Sequence, residues 1–186
     1  MESATYQAQD SVLTLEQGLE EYFEANPGLT RVAPETPEAE LFLPHDACHV
    51  LFGTSTSLAE EAMTDIWTIA GADVGLWGYS KLMRHAAKLN PGEVLNRIGY
   101  WTALTHTIRS VGPMFEAWRR GRRMTRPWPF RGYATYLQRP LGEIRSEFGI
   151  EVFLPDPALL QSSTVKGPSL TRTRDALRSP STRSSH

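Results

Sequence analysis

The apolar positions of this chain recur at steps of three and four, the period of α-helices packed on one face. Leu15, Leu19, Tyr22 and Phe23 share such a face, and Thr14 stands where a cap would accept from the free amides of a first turn. Asn26, Pro27 and Gly28 stop that helix. Thr36, Pro37 and Glu38 open a second segment; Pro44 interrupts it and starts a new helix over residues 44–52, closed by Gly53. Ser57 and Glu60 read as a capping box for a helix carrying Leu58, Ala62, Ile66, Ile69 and Ala70. Another helix runs from Trp77 to Leu89 after a break at Gly75. The longest stripe is Val94, Ile98, Trp101, Leu104, Ile108, Val111, Phe115 and Trp118, about seven helical turns with Pro113 as a kink. Core packing and the wall of an apolar tunnel both fit that stripe. Residues 126–138 suggest a packed loop or short helix, and 141–149 a last short helix stopped by Gly149.

No segment alternates long enough to promise a sheet, so the expected class is all-α, a single-domain helical bundle. Residues 1–11 read as a flexible start and 12–157 as the helical domain. Residues 158–186, rich in Ser, Thr and Arg, read as a disordered basic tail. Charge is uneven: residues 1–40 carry nine acids and one base, whereas 161–186 carry five bases and one acid. A net charge of −2 gives no sign of nucleic-acid binding. The single cysteine, Cys48, excludes an intramolecular disulfide and a four-cysteine zinc site. The opening Met-Glu-Ser-Ala-Thr lacks the basic flank and apolar run of a signal peptide and is too acidic for a transit peptide. No stretch approaches the roughly 20 apolar residues of a spanning helix. A cytoplasmic or peripheral location is the resulting expectation.

Candidate chemistry sits in one string. His45 and His49 are four apart, one above the other on a helix, and can converge on one metal ion. Asp46, three before His49, can lean to the same side, and a helix starting at Pro44 would set its dipole against ionised Asp46. Glu61 follows His49 by twelve residues, across a turn at Gly53 that can fold the next helix back. Together His45, Asp46, His49 and Glu61 form a two-nitrogen, two-carboxylate set for a divalent metal. Zinc leads, with iron, manganese or magnesium as alternatives. The plainer reading is a surface or capping role for the His pair. Glu60 reads as a cap, Cys48 as a small core residue, and His85 and His106 as structural. The basic run 119–123 reads as a solvated helix end or a contact for anionic lipid head groups. Asp65, Asp73, His85 and His106 would be the further donors of a His-Asp metallohydrolase, without a clear spacing.

The string Leu43-Pro-His-Asp-Ala-Cys-His-Val-Leu-Phe-Gly53, followed by Glu61, resembles the His-Asp-x-x-His, eleven residues, Glu motif of the ubiquinone (coenzyme Q) biosynthesis protein Coq-four family. Ala117-Trp-Arg-Arg-Gly121 and Pro140-Leu-Gly-Glu-Ile-Arg145, with Gly149 and Ile150, are similar to that family's C-terminal segment. The resemblance covers roughly residues 15–152. It implies an all-helical, lipid-binding fold with a buried apolar channel for a polyprenyl chain, with Trp101 and Leu104 as candidate lining residues. It implies peripheral association with the cytoplasmic face of the inner membrane, other quinone biosynthesis enzymes as partners, and it allows a homodimer. The implied activity is a metal-dependent lyase reaction, the oxidative decarboxylation (C1 decarboxylation and hydroxylation) of a polyprenylated hydroxybenzoate. The alternative is a non-catalytic prenyl-lipid-binding scaffold that organises a quinone biosynthesis complex. On either view the metal ligands are His45, Asp46, His49 and Glu61, with no separate catalytic residue.

Overall fold

The computed structural model describes residues 4–29, 31–89 and 111–153. Among them are six α-helices and no β-strand: α1 Leu15–Ala25, α2 Ala39–Phe52, α3 Leu58–Gly71, α4 Gly75–Leu89, α5 Val111–Arg123 and α6 Leu141–Phe148. Short 3-10 turns occupy Thr5–Gln7 and Tyr133–Tyr136. Trp101, Leu104 and His106, most of the long apolar stripe and the basic tail lie outside the described residues. No helix among the described residues is long and apolar enough to cross a membrane.

Helix α2 is the centre of the molecule. Its residues from Pro44 to Phe52 are all buried, as are Ala39, Leu41 and Phe42. A segment buried all round has no face to give to water, so its polar side chains His45, Asp46 and His49 must find partners inside. Helix α1 crosses it where Gly18 lets the backbones approach: a Cβ there would sit 2.7 Å from Val50 and 2.9 Å from Leu141. Thr14 and Gln17 form a reciprocal capping box at the start of α1. Gly53 ends α2 with a left-handed φ of 74°, a conformation that Gly adopts at little cost. Helix α3 returns along α2, with Phe52 stacked on Trp67 at 4.3 Å between ring centroids. Helices α3 and α5 meet backbone to backbone at Gly71 and Gly121.

Four expectations change. Pro44 does not start a helix; it lies inside α2, which begins at Ala39. Proline removes one amide from the ladder, but a segment buried all round keeps its course, because packing outweighs the local preference. The His-Asp string therefore lies deep in the helix rather than in its first turn. Ser57 precedes α3 as expected but makes no side-chain cap; Glu60 instead accepts from the Ser55 amide at 2.5 Å. Phe115 and Trp118, assigned to the core stripe, are 62% and 47% exposed. The start of the chain, read as flexible, is packed from residue 4. Tyr6 is buried, and its hydroxyl donates to the Thr54 carbonyl at 3.0 Å.

Arg145 explains that packing. Its fully buried guanidinium donates to the carbonyls of Leu51 at 2.9 Å, Val50 at 2.8 Å and Tyr6 at 2.6 Å, and to that of Ala8. Burial lowers its pKa to about 10, with Tyr6 opposing that shift. Val50 and Leu51 belong to the last turn of α2, where carbonyls run short of amide donors; Val50 also accepts from the Gly53 amide at 3.3 Å. One side chain thus satisfies the end of α2 and fastens the N-terminal segment across it.

Candidate metal centre

The site is built from the middle of α2 and the first two turns of α3. His45 and His49, four apart on α2, bring their rings to 4.8 Å between centroids at an interplanar angle of 79°. Gly53 and the turn that follows reverse the chain, and Glu61 rises from the first turn of α3 with its amide bonded to the Ser57 carbonyl at 2.8 Å. Its two oxygens face different rings. Oε2 lies 3.0 Å from His49 Nε2 and Oε1 lies 3.9 Å from His45 Nε2. His45, His49 and Glu61 each offer a ligand atom within 4.8 Å of the others, and the three could hold a metal ion.

The protons around His49 can be placed by counting. Thr64 Oγ1 donates its only proton to the Glu60 carbonyl at 2.9 Å. With that proton committed, the Thr54 hydroxyl donates to Thr64 Oγ1 at 2.6 Å or to the His49 carbonyl at 3.4 Å. Neither hydroxyl has a proton left for the imidazole, so His49 Nδ1, 3.1 Å from Thr54 Oγ1, is itself a donor. Donation at Nδ1 turns Nε2 towards Glu61. Yet Nε2 is fully buried and makes no hydrogen bond, although the carboxylate is 3.0 Å away. A bare lone pair facing a carboxylate is repulsive, and a misaligned N–H would be a buried donor without an acceptor. A cation bound by both atoms resolves the first case, since a bare Nε2 lone pair is what a metal ligand offers. Outer groups that fix a ligating histidine in this way are the usual support of metal sites.

Tyr22 stacks on the outer face of His49, with centroids 5.4 Å apart. Asp46 is buried on the same helix but falls outside the group of mutually close donors. One residue along a helix is a turn of about 100°, so Asp46 does not share the face of His45. Its charge acts instead on the half-buried Tyr133, whose phenol pKa is raised first by burial and then by Asp46.

Asp65 and Tyr79 adjoin the site, and the sequence reading gave Tyr79 no role and Asp65 none in the preferred set. Asp65 Oδ1 lies 3.0 Å from His45 Nε2 and accepts the Tyr79 hydroxyl. Burial, then the Asp65 charge, raises the Tyr79 pKa well above its ordinary value, so this phenol remains a donor. The signal for Asp65 was its place four residues after Glu61, on the same face of α3. Of the other metallohydrolase candidates, Asp73 accepts from the Phe130 amide at 2.9 Å and His85 is exposed, while His106 lies outside the described residues. Cys48 is fully buried, and burial pushes its thiol up to about 12, which suits a small core residue.

A pocket leads to the donors, lined by Leu41, Phe42, His45, Glu61, Asp65, Tyr79 and Met83. It holds about 270 Å³ of empty space, part of it open to solvent. Its lining is polar at His45, Glu61, Asp65 and the Tyr79 hydroxyl and apolar at Leu41, Phe42 and Met83. No family model, no curated protein and no solved structure matches this chain.

Proposed function

We propose that this protein is a divalent-metal protein of quinone biosynthesis that acts on a polyprenylated hydroxybenzoate, removing the ring carboxylate and hydroxylating the carbon that bore it. The observation that carries the metal part is the convergence of His45, His49 and Glu61. The substrate part is supported by the resemblance of residues 43–61 to the Coq-four motif. Zinc is the proposed ion, since two imidazoles and carboxylate oxygen suit it; the same donors would accept iron or manganese, and magnesium more weakly. When bound, the ion supplies Lewis-acid polarisation of a phenol or carboxylate oxygen. His49 is held in one tautomer by Thr54 and Thr64. Leu41, Phe42 and Met83 offer an apolar wall for the ring and exclude water from it. Trp101 and Leu104 are assigned to the prenyl tail. Replacing a carboxylate by a hydroxyl, with water as the source of the new oxygen, releases carbon dioxide and two electrons; dioxygen as the external acceptor would leave as hydrogen peroxide, and zinc, being redox-inert, would serve only to polarise the substrate. The work would be done at the cytoplasmic membrane surface, beside other enzymes of the route.

The second reading is a non-catalytic lipid-binding scaffold. The pocket lining supports it: Leu41, Phe42 and Met83 offer apolar contact that would hold a lipid with no chemistry done on it. Purified protein with zinc and a prenylated hydroxybenzoate, under air, separates the two. Carbon dioxide released over many turnovers supports the enzyme, and stoichiometric binding without release supports the scaffold. His49→Ala is expected to lose bound metal while keeping its helical circular dichroism. Unchanged metal content in that variant would overturn the ligand assignment.

A further inference from the structure

Asp65 is the buried acid of the pocket to which the proposed function gives no task. It follows Glu61 by one helical turn, so two carboxylates stack on one face of α3. Both point towards His45, whose Nε2 lies 3.0 Å from Asp65 Oδ1 and 3.9 Å from Glu61 Oε1. Like charges at this spacing repel, and burial strengthens the repulsion. A shared cation removes it. Donor atoms about 2.1 Å from one ion sit roughly 3 to 3.5 Å apart at neighbouring corners of a tetrahedron or octahedron. The separations of 3.0 Å between His45 and Asp65 and between His49 and Glu61 are of that size.

We propose that Asp65, rather than Asp46, is the fourth protein ligand of the ion, and that Tyr79 is the residue that positions it. This rests on the metal reading above. Asp65 also falls outside the three-residue group, yet its Oδ1 lies 3.0 Å from His45 Nε2, one of that group's donor atoms, and a dication matches two imidazoles and two carboxylates in charge. Tyr79, from α4, donates to the same Oδ1 that meets His45. A ligating carboxylate is commonly held by such an outer hydrogen bond. Tyr79 therefore couples α4 to the ion without touching it.

The test is cobalt(II) titrated into the metal-free full-length chain and followed by visible absorption. The wild type is expected to give a ligand-field spectrum. Asp65→Asn should bind about ten- to a hundredfold more weakly with shifted bands, and Tyr79→Phe should weaken binding less and in the same direction. Asp46→Asn should leave affinity within about twofold and the bands in place. Asp65→Cys gives a positive signature: a thiolate at position 65 that reaches cobalt adds a near-ultraviolet charge-transfer band, which the wild type, with Cys48 buried and protonated, lacks. Absence of that band in the folded variant, or unchanged binding in Asp65→Asn, overturns the Asp65 assignment and leaves the metal reading standing. A wild type that takes up no cobalt overturns both.

Discussion

Cys48 shows how one atom reports its surroundings. Its thiol pKa rises from 9.0 to about 12 because the anion would have to form in a dry core. The unfolded chain ionises near the lower value and the folded chain near the higher. Stability from this group is therefore complete below about pH 9 and is lost as pH rises towards 12. Cys48→Ala removes the effect. Denaturation of both proteins from pH 7 to 11 should show the wild type losing ground to the variant by about 1.4 kcal/mol per pH unit above 9; parallel curves would contradict the burial argument. The residues themselves were partly legible. The four-residue step of His45 and His49 and the later Glu61 could be read, because helical spacing fixes which side chains meet. Asp65, Tyr79 and the hydroxyls of Thr54 and Thr64 could not. Their meeting depends on the angle between α2, α3 and α4, which one-dimensional spacing does not encode.

Helix limits were legible where a residue type has one strong conformational reason to be there: Thr14, Gly53 and Gly149 cap as expected. They were misread at Pro44, where a local rule met a segment too buried to obey it. Contacts between helices were not legible, because a glycine in a helix shows nothing of what lies opposite. Gly121 is the sharpest case. A Cβ added there would lie 2.8 Å from the Ala70 Cβ and 3.0 Å from the Gly71 nitrogen and the Trp67 carbonyl oxygen. Gly121→Ala would gain about 1 kcal/mol of helix propensity. The backbone of α3 cannot step aside as a flexible side chain could, so the expected net result is a loss of about 1–2 kcal/mol. Chemical denaturation measures it, and a stabilised variant would mean that α3 and α5 are not in contact at this point.

Across the whole molecule, burial of Arg145 joins parts that are far apart in sequence. Periodicity placed it in the last helix but could not show that it reaches Tyr6, Ala8, Val50 and Leu51. Arg145→Met keeps most of the volume and takes a charged donor from four carbonyls; those of Ala8 and Val50 keep the Ser11 and Gly53 amides, whereas those of Tyr6 and Leu51 lose the guanidinium in a dry interior. A loss of about 3–5 kcal/mol is expected, together with faster proteolysis before residue 15. A variant as stable and as protease-resistant as the parent would show that the N-terminal segment is fastened by something else. Such a fastening supports the site from behind, since Tyr6 also holds the carbonyl of Thr54, the residue that orients His49.

The placement of the two histidines inside α2, rather than at its tip, has a kinetic corollary. Among the described residues, an ion seated there borders the pocket lined by Phe42 and Met83, and it would leave through that pocket. Residence time and affinity then become separate properties, one governed by the doorway and the other by the donors. Widening the exit with Phe42→Ala should shorten the half-time of stripping by a chelator while the equilibrium constant barely moves, so that this protein would keep its cargo by slowness as much as by strength.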